Sequence, residues 1–417
     1  MKEIMNKEPL LFLCHRIPFP PNKGDKIRSF NILKQLHEQF DVHLGCFIDD
    51  PYDMRYVSEL EKYCKVLFYR QQNKTACKIK GLSAFLTGKP ITLPYYFDGA
   101  MDAWCKASMQ THQFKHIFVY SSSMAQYCEG AAFENSQRII DFVDVDSDKW
   151  RQYADKKTGI AKYVYSREHK TLATYEDKIC QHFDYSLFVS PDEASLFSQR
   201  QPRIHQDKVR GILNGVDVQY FDPSARTAEE PLVPKAPFIS FTGAMDYWAN
   251  IDAVLWFVDN VWAALKARIP GVKFVVAGGN PAPEIRALSK DEDIIVTGRV
   301  NDMRPFIAEA ACIVAPLQIA RGIQNKVLEA MSLNKPVVCT TMAMEGINAS
   351  QSEHVKICDE PDAFLQQCIS VIEAQDTLCA NRTWIQEHFT WGATLRPLTE
   401  LFACSSTKRE VNHANSQ

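Results

Sequence analysis

No apolar run in the sequence is long enough to span a bilayer. The opening MKEIMNKEPL is followed by LFLC, a short apolar stretch that ends at His15 and Arg16. It lacks the long apolar core and small-residue cleavage site of a secretory signal, so the expectation is a cytoplasmic chain. Thirteen cysteines are present, an odd number, and none forms a CxxC pair. That spacing predicts buried free thiols in a reducing compartment rather than a disulfide framework. Cys180 and His182 lie close together, but no second ligand pair follows at metal spacing, so no metal site is expected. Neither GxGxxG nor GxxxxGK followed by Ser or Thr occurs, which argues against dinucleotide dehydrogenases and P-loop nucleotidases. Long blocks of one charge sign are missing too, and the net charge is -3, so no nucleic acid is expected as partner.

What is present is the material for two cores. At 417 residues, with 46% hydrophobic and 23% charged content, the chain is globular and too long for one ordinary domain. Apolar strands alternate with amphipathic helices from Leu10 onward. Strands are predicted at Leu10–Cys14, Val42–Ile48, Val66–Tyr69, His116–Tyr120, Ile139–Val143 and the SLFVS run. Helices are expected from a cap at Asp25 through Leu36, over Tyr52 to Tyr63, and over about Lys149 to His182. Phe238–Thr242 restarts the rhythm, followed by strands at Lys273–Ala277, Ile294–Thr297, Ala311–Ala315 and Val337–Thr340. Such alternation predicts an α/β protein with two Rossmann-like, doubly wound parallel sheets. The expected division is residues 1–222 for the first domain, 223–236 for a Pro- and charge-rich linker, and 237–380 for the second domain. A terminal helical segment, 381–404, and a polar tail, 405–417, complete it.

In an open parallel sheet ligands gather beyond the carboxyl ends of the strands. Three strands of the second half end at Gly243, Gly278 and Gly298. The most informative segment is APLQIARGIQNKVLEAMSLNKPVV, where a strand ends at Pro316 and a loop carries Arg321 and Gly322 ahead of a helix beginning near Ile323. The first turn of that helix offers backbone N–H groups and a positive dipole end to an anion. Asn325, Lys326 and Glu329 are three and four residues apart and share one face. This arrangement suits a diphosphate and a ribose diol. It equally describes an exposed face with a Lys–Glu pair, and spacing alone does not choose.

The order of motifs does. The segment resembles the sugar-nucleotide motif of the GT-B glycosyltransferases, in the large retaining family 4 (group 1 type). NGVD with Phe221 and Pro223, then FTG, VAGG, TGRV, LEAM and PVV follow in that family's order. HRIPFPPNKGDKIRS and IIDFVDVDSDKW look closest to the subgroup associated with PEP-CTERM/exosortase exopolysaccharide systems. The resemblance implies a GT-B fold with the active site in a cleft between two domains and a C-terminal helix, around Trp391, crossing back. It also implies transfer of a sugar, with retention and without metal, from a nucleotide-diphosphate sugar to a glycan or lipid-linked acceptor in exopolysaccharide or cell-surface polysaccharide synthesis. No other cofactor is implied. By the resemblance Glu329 holds the donor ribose, and Lys326, Asn325 and their helix end face the diphosphate. Arg299 and Val300 flank the nucleobase, Gly243 closes the first donor-domain strand, and Gly24 belongs to a loop facing diphosphate and acceptor. The chain departs from the family where a first glutamate is usual and Arg321 stands. It departs again after Gly243, where AMDYWAN replaces the usual Arg and Lys. Arg321, with Gly322, is then a candidate source of the missing positive charge.

Asp144-Val145-Asp146 has the spacing of a metal-binding pair, but the doubled Rossmann rhythm and the C-terminal motif point away from metal-dependent folds. Placed after a strand, Asp144 and Asp146 are candidates to bind an acceptor hydroxyl or serve as its base, or else to cap the next helix. His15 and Arg28 flank the Gly24 loop. His15 suits phosphate or acceptor contact, or a structural histidine. Lys74, Lys78, Lys80 and Lys89 lie among apolar residues, a pattern fitting a solvated loop and helix or a peripheral contact with the inner face of an anionic membrane. Tyr95 to Phe97 suit an acceptor wall or a core. Competing functions are a GT-B sugar-nucleotide epimerase, for which no residues around the sugar can be assigned, and a non-catalytic nucleotide-sugar scaffold.

Overall fold

The computed structural model describes residues 7–225, 230–320, 323–347, 349, 355–374 and 381–403. Two compact units emerge: Met1–Leu213 with Leu395–Gln417, and Asn214–Thr394.

The first unit is built on seven parallel strands, β1 (Glu8–Cys14), β2 (Phe40–Ile48), β3 (Val66–Gln71), β4 (His116–Tyr120), β5 (Gln137–Val143), β6 (Tyr185–Phe188) and β7 (Val209–Gly211). Their order is β3-β2-β1-β4-β5-β6-β7. Leu10 to Leu13 and Ile117 to Tyr120 are fully buried. Their continuous apolar runs are what a sheet covered on both faces requires. The second unit repeats the plan with β8 (Phe238–Thr242), β9 (Lys273–Ala277), β10 (Ile294–Gly298), β11 (Cys312–Ala315), β12 (Val337–Cys339) and β13 (Val355–Ile357), in the order β10-β9-β8-β11-β12-β13. Both orders reverse beside the unit's first strand, β1 in one and β8 in the other. Each reversal leaves a crevice at the carboxyl edge, between β1 and β4 and between β8 and β11. Strands β7 and β13, three residues each with one buried residue apiece, were not expected, because they lack the continuous apolar run that marks the equally short β12.

Several expected elements are subdivided. The stretch Tyr52–Tyr63 forms three short helical turns, the first opened by Asp50, whose side chain accepts from the Tyr52 N–H. The long charged helix is two, Asp146–Asp155 and Gly159–His182, broken where Gly159 takes a φ of 61°. Asp25 does not cap its helix: Gly24–Gln39 already includes it, and its carboxylate is drawn to Arg16 instead. The change of unit falls at Leu213–Asn214, ahead of the expected boundary at 222. The reason is local. The Val216 N–H bonds the Phe389 carbonyl, and Arg382 clasps the carbonyls of Val218 and Phe221 and the carboxylate of Asp222. The chain leaves the second unit after Thr394, and a second helical stretch, 396–403, belongs to the first. There Phe402 packs against Phe40 and His116, and Gln137 donates to the Leu401 carbonyl.

Arg28 ties the first unit together. It is fully buried, with Nε 2.9 Å from Asp141 Oδ2 on β5 and Nη1 2.8 Å from the Ile212 carbonyl beyond β7. Burial pushes the Asp141 carboxyl up, and the guanidinium pulls it back down. Removing one member of such a pair strands the other charge. Arg28→Ala is therefore expected to cost about 3–5 kcal/mol of stability, read from urea denaturation, whereas replacing Arg28 and Asp141 together by apolar residues of similar volume costs less.

Candidate functional site

At the carboxyl edge of the second sheet, Gly243 follows β8, Gly278 follows β9, and Gly298 ends β10. Backbone approaches backbone here. A Cβ on Gly278 would lie 1.7 Å from the Gly243 carbonyl oxygen, and one on Gly243 would lie 2.7 Å from Asn250 Nδ2. The Gly243 N–H bonds the Ala277 carbonyl, and the Met245 N–H bonds the Gly279 carbonyl, so the two turns are stitched together.

Across the reversal point, between β8 and β11, the helix Asn325–Ser332 begins. Among the described residues, the N-cap position Gln324 makes no side-chain capping hydrogen bond. Val327, Leu328, Ala330 and Met331 are buried beneath it. Lys326 is buried as well, which excludes the exposed Lys–Glu face as its reading. Its ammonium donates to Asn250 Oδ1 at 2.6 Å and sits 4.2 Å from the Phe241 ring centroid. Burial pushes the Lys326 ammonium down to about 7, against the pull of Glu329. Burial also pushes the half-buried Glu329 carboxyl up to about 7, against Lys326. Asn325 Oδ1 accepts from Asn214 Nδ2 at 3.4 Å. Arg299 is exposed and Val300 half-buried immediately after Gly298. Arg321 and Gly322 lie outside the described residues.

The structure adds residues the sequence reading missed. Asn250 is the hub: it accepts from Lys326, donates to the Ala244 carbonyl, and fills the space under Gly243. Nothing in AMDYWAN marks one asparagine for that task. Tyr220 reaches Asp302, whose carboxylate is held by Arg304, and the Arg304 guanidinium lies 4.2 Å over the Tyr220 ring.

The first unit has its own edge constellation, around the β1–β4 reversal. The His15 ring is nearly parallel to Tyr120 at 5.9 Å and meets Tyr96 edge-on at 5.8 Å. Its Nε2 is 3.7 Å from Asp25, and Arg16 bridges Asp25 and Asp49 at 2.5 and 3.1 Å. Burial alone would raise the Asp25 carboxyl, but His15 and Arg16 together hold it well below the usual range. Asp144 and Asp146 share the Lys149 ammonium at 2.7 and 3.3 Å. Asp146 opens its helix without capping it. Two non-glycine residues at this edge, Ser121 after β4 and Val143 at the end of β5, take φ of 80° and 70°. Such positions are strained, and Val143 is held there by its N–H donating to Asp141. Gly24 is exposed, and a Cβ on it would meet nothing within 4 Å. Arg28 is a correction: expected at this loop, its guanidinium turns inward to Asp141. Beside Tyr96 a pocket of about 140 Å³ is lined by Gln72, Asn73, Lys80, Tyr95, Phe97 and Asp98 among others.

Residues 236–374, which span the glycine edge, Asn250, Lys326 and Glu329, match the family model described as glycosyl transferases group 1. That match lies wholly within the second unit. No match was found among curated protein sequences. Among solved structures, Anabaena HepE in complex with UDP-glucose superposes with a TM-score of 0.65 at 12% identity, over 95% of this chain and 99% of that one. Sucrose-phosphate synthase from Thermosynechococcus elongatus gives 0.67 at 17% identity, over 96% and 100%. WaaG, a glycosyltransferase involved in lipopolysaccharide biosynthesis, gives 0.62 at 12% identity, over 93% and 98%. Likeness at these identities is likeness of fold, and the fold is of GT-B type, with two Rossmann-like units.

The contact between Gly278 and Gly243 yields a prediction. Gly278→Ala must separate the two turns, and the expected loss of stability is about 2 kcal/mol or more. Gly24→Ala, with open space around it, is expected to leave the thermal midpoint unchanged. Differential scanning calorimetry of both variants checks this.

Proposed function

We propose that the protein transfers a sugar, of hexose type, from a nucleotide-diphosphate sugar to a glycan or lipid-linked acceptor in exopolysaccharide or cell-surface polysaccharide synthesis. The observation that carries the reading is Lys326, a buried ammonium in the first turn of the helix at the sheet's reversal point, within the segment matching the group 1 family. A departing diphosphate needs positive charge beside it when the bond to the sugar breaks. Lys326, Asn325 and the first-turn amides of their helix supply it in this scheme, with Arg321 and Gly322 as further donor-binding candidates by the motif resemblance. Glu329 accepts from the ribose diol, Arg299 and Val300 flank the base, and Gly243 lets the donor approach the backbone. The scheme needs no metal. That Anabaena HepE holds UDP-glucose on the same fold supports a nucleotide sugar as donor.

On the acceptor side, His15, Asp144 and Asp146 are the candidate groups to receive a hydroxyl proton or orient the hydroxyl, with Gly24 in the adjoining loop. The Lys149 ammonium, shared between Asp144 and Asp146, fixes the positions of these two carboxylates. The pocket beside Tyr96 offers ring faces and amides suited to a sugar. Retention of configuration, family 4 membership and the exosortase-associated subgroup belong to this proposal through the motif resemblance alone.

Calorimetric titration with UDP and GDP, with and without EDTA, tests the donor site. Binding of one of them is expected, unchanged by EDTA and weakened roughly tenfold or more in Glu329→Ala. The sign of the proton balance is also set. Lys326 and Glu329 both titrate near 7. A diphosphate's negative charge favours the protonated form of Lys326, so binding near pH 8 should take up a proton there. Titrations in buffers of different ionisation enthalpy read that uptake, and Lys326→Met should diminish it. No binding of either nucleotide, or proton release, would remove the donor-site assignment.

A further inference from the structure

We infer that the first unit carries a surface that seats on an anionic lipid bilayer, formed by two segments far apart in sequence. The first is the helix pair Lys74–Leu82 and Ala84–Thr87. Ile79, Leu82 and Leu86 recur at three- and four-residue spacing and are 65%, 63% and 92% exposed, with Phe85 beside them at 40%. The second is the start of the helix Gly159–His182, where Ile160 and Tyr163 are 84% and 66% exposed.

Specific contacts join the two. Arg167 Nη2 donates to the carbonyls of Ala84 and Lys89, and its guanidinium lies 4.8 Å over the Phe85 ring. The next residue, Glu168, accepts from the N–H groups of Ile91 and Thr92. Ile160 and Tyr163 stand seven and four residues before Arg167, on the same side of their helix, so the apolar tips of both segments form one field.

Charge identifies what covers it. The chain as a whole has 47 basic and 50 acidic residues. Yet residues 74–89 hold Lys74, Lys78, Lys80 and Lys89 with no Asp or Glu, and residues 156–167 hold Lys156, Lys157, Lys162 and Arg167, again with no acid. All seven lysines are exposed. Lys80 also donates to the Phe97 carbonyl, and Lys74 lies 3.8 Å from Asp49. Aliphatic tips ringed by lysines match acyl chains beneath anionic headgroups. A second copy of the chain fits worse, because a twofold contact would set these lysines against each other. The helix Lys74–Leu82 also walls the pocket beside Tyr96, through Ala76, Cys77 and Lys80. Seating there brings that pocket to the membrane surface.

Flotation of the full chain with vesicles tests the surface without any nucleotide, so its failure is distinct from failure of the transfer reading. The protein should partition onto an equal mixture of phosphatidylcholine and phosphatidylglycerol, not onto phosphatidylcholine alone, and less as salt rises. Leu86→Ser with Ile160→Ser should weaken partitioning roughly tenfold or more. Lys78→Gln and Lys162→Gln should each weaken it about fivefold. Ile204→Ser, at an equally bare isoleucine elsewhere (78% exposed), should change nothing. Circular dichroism confirms that each variant is folded. Three outcomes would overturn the inference. They are no partitioning of the wild type, equal loss in Ile204→Ser, and a concentration-dependent dimer in light scattering that Leu86→Ser abolishes.

Discussion

A lysine ammonium kept out of water at the end of a parallel sheet sets the terms for the second unit. Its desolvation is costly, and a single amide oxygen, Asn250 Oδ1, with the face of Phe241, offsets part of that cost. Asn250 holds its place only because Gly243 has no side chain, and Gly243 can turn there only because Gly278 has none either. The glycines, the asparagine and the lysine are thus one mechanical unit. An anion at this edge meets a group held near its titration point, able to become fully charged when charge is needed.

The first unit solves a different problem at the equivalent edge. There the charges are paired rather than poised: Arg16 between Asp25 and Asp49, Lys149 between Asp144 and Asp146. The His15 ring sits between Asp25 and two tyrosines, Tyr96 and Tyr120. Left-handed backbone at Ser121 and Val143 falls where β4 and β5 end at this edge. The Arg28–Asp141 pair beneath it carries the cost, since Asp141 both neutralises the guanidinium and fixes the Val143 N–H.

Much of this was legible in the residues, and the limits have physical causes. Runs such as LLFL and FVVA announce strands buried on both faces, and their spacing announces parallel units. Lys326 and Glu329 stand out because helix period and motif order agree on them. Arg28 misled: its place beside a candidate loop suggested function, but the partner that claims it, Asp141, lies 113 residues away. Asn250 was invisible for the same reason, since its importance comes from contacts with residues remote in sequence. Asp25 looked like a helix cap because local pattern cannot register a competing arginine nine residues earlier. The apolar field near Leu86 was half visible, as lysines among apolar residues. Its second half, at Ile160 and Tyr163, appears only when Arg167 joins the segments.

The proposed transfer breaks the bond between a sugar and a nucleoside diphosphate. The most direct measurement is release of free nucleoside diphosphate from UDP- and GDP-sugars, with a glycan or lipid-linked acceptor extract present and EDTA added. The account predicts release from one nucleotide class, well above the buffer rate and falling by roughly tenfold or more in Glu329→Ala. Release that appears only when a divalent metal is supplied, or tight nucleotide binding with no release under any acceptor condition, would contradict it.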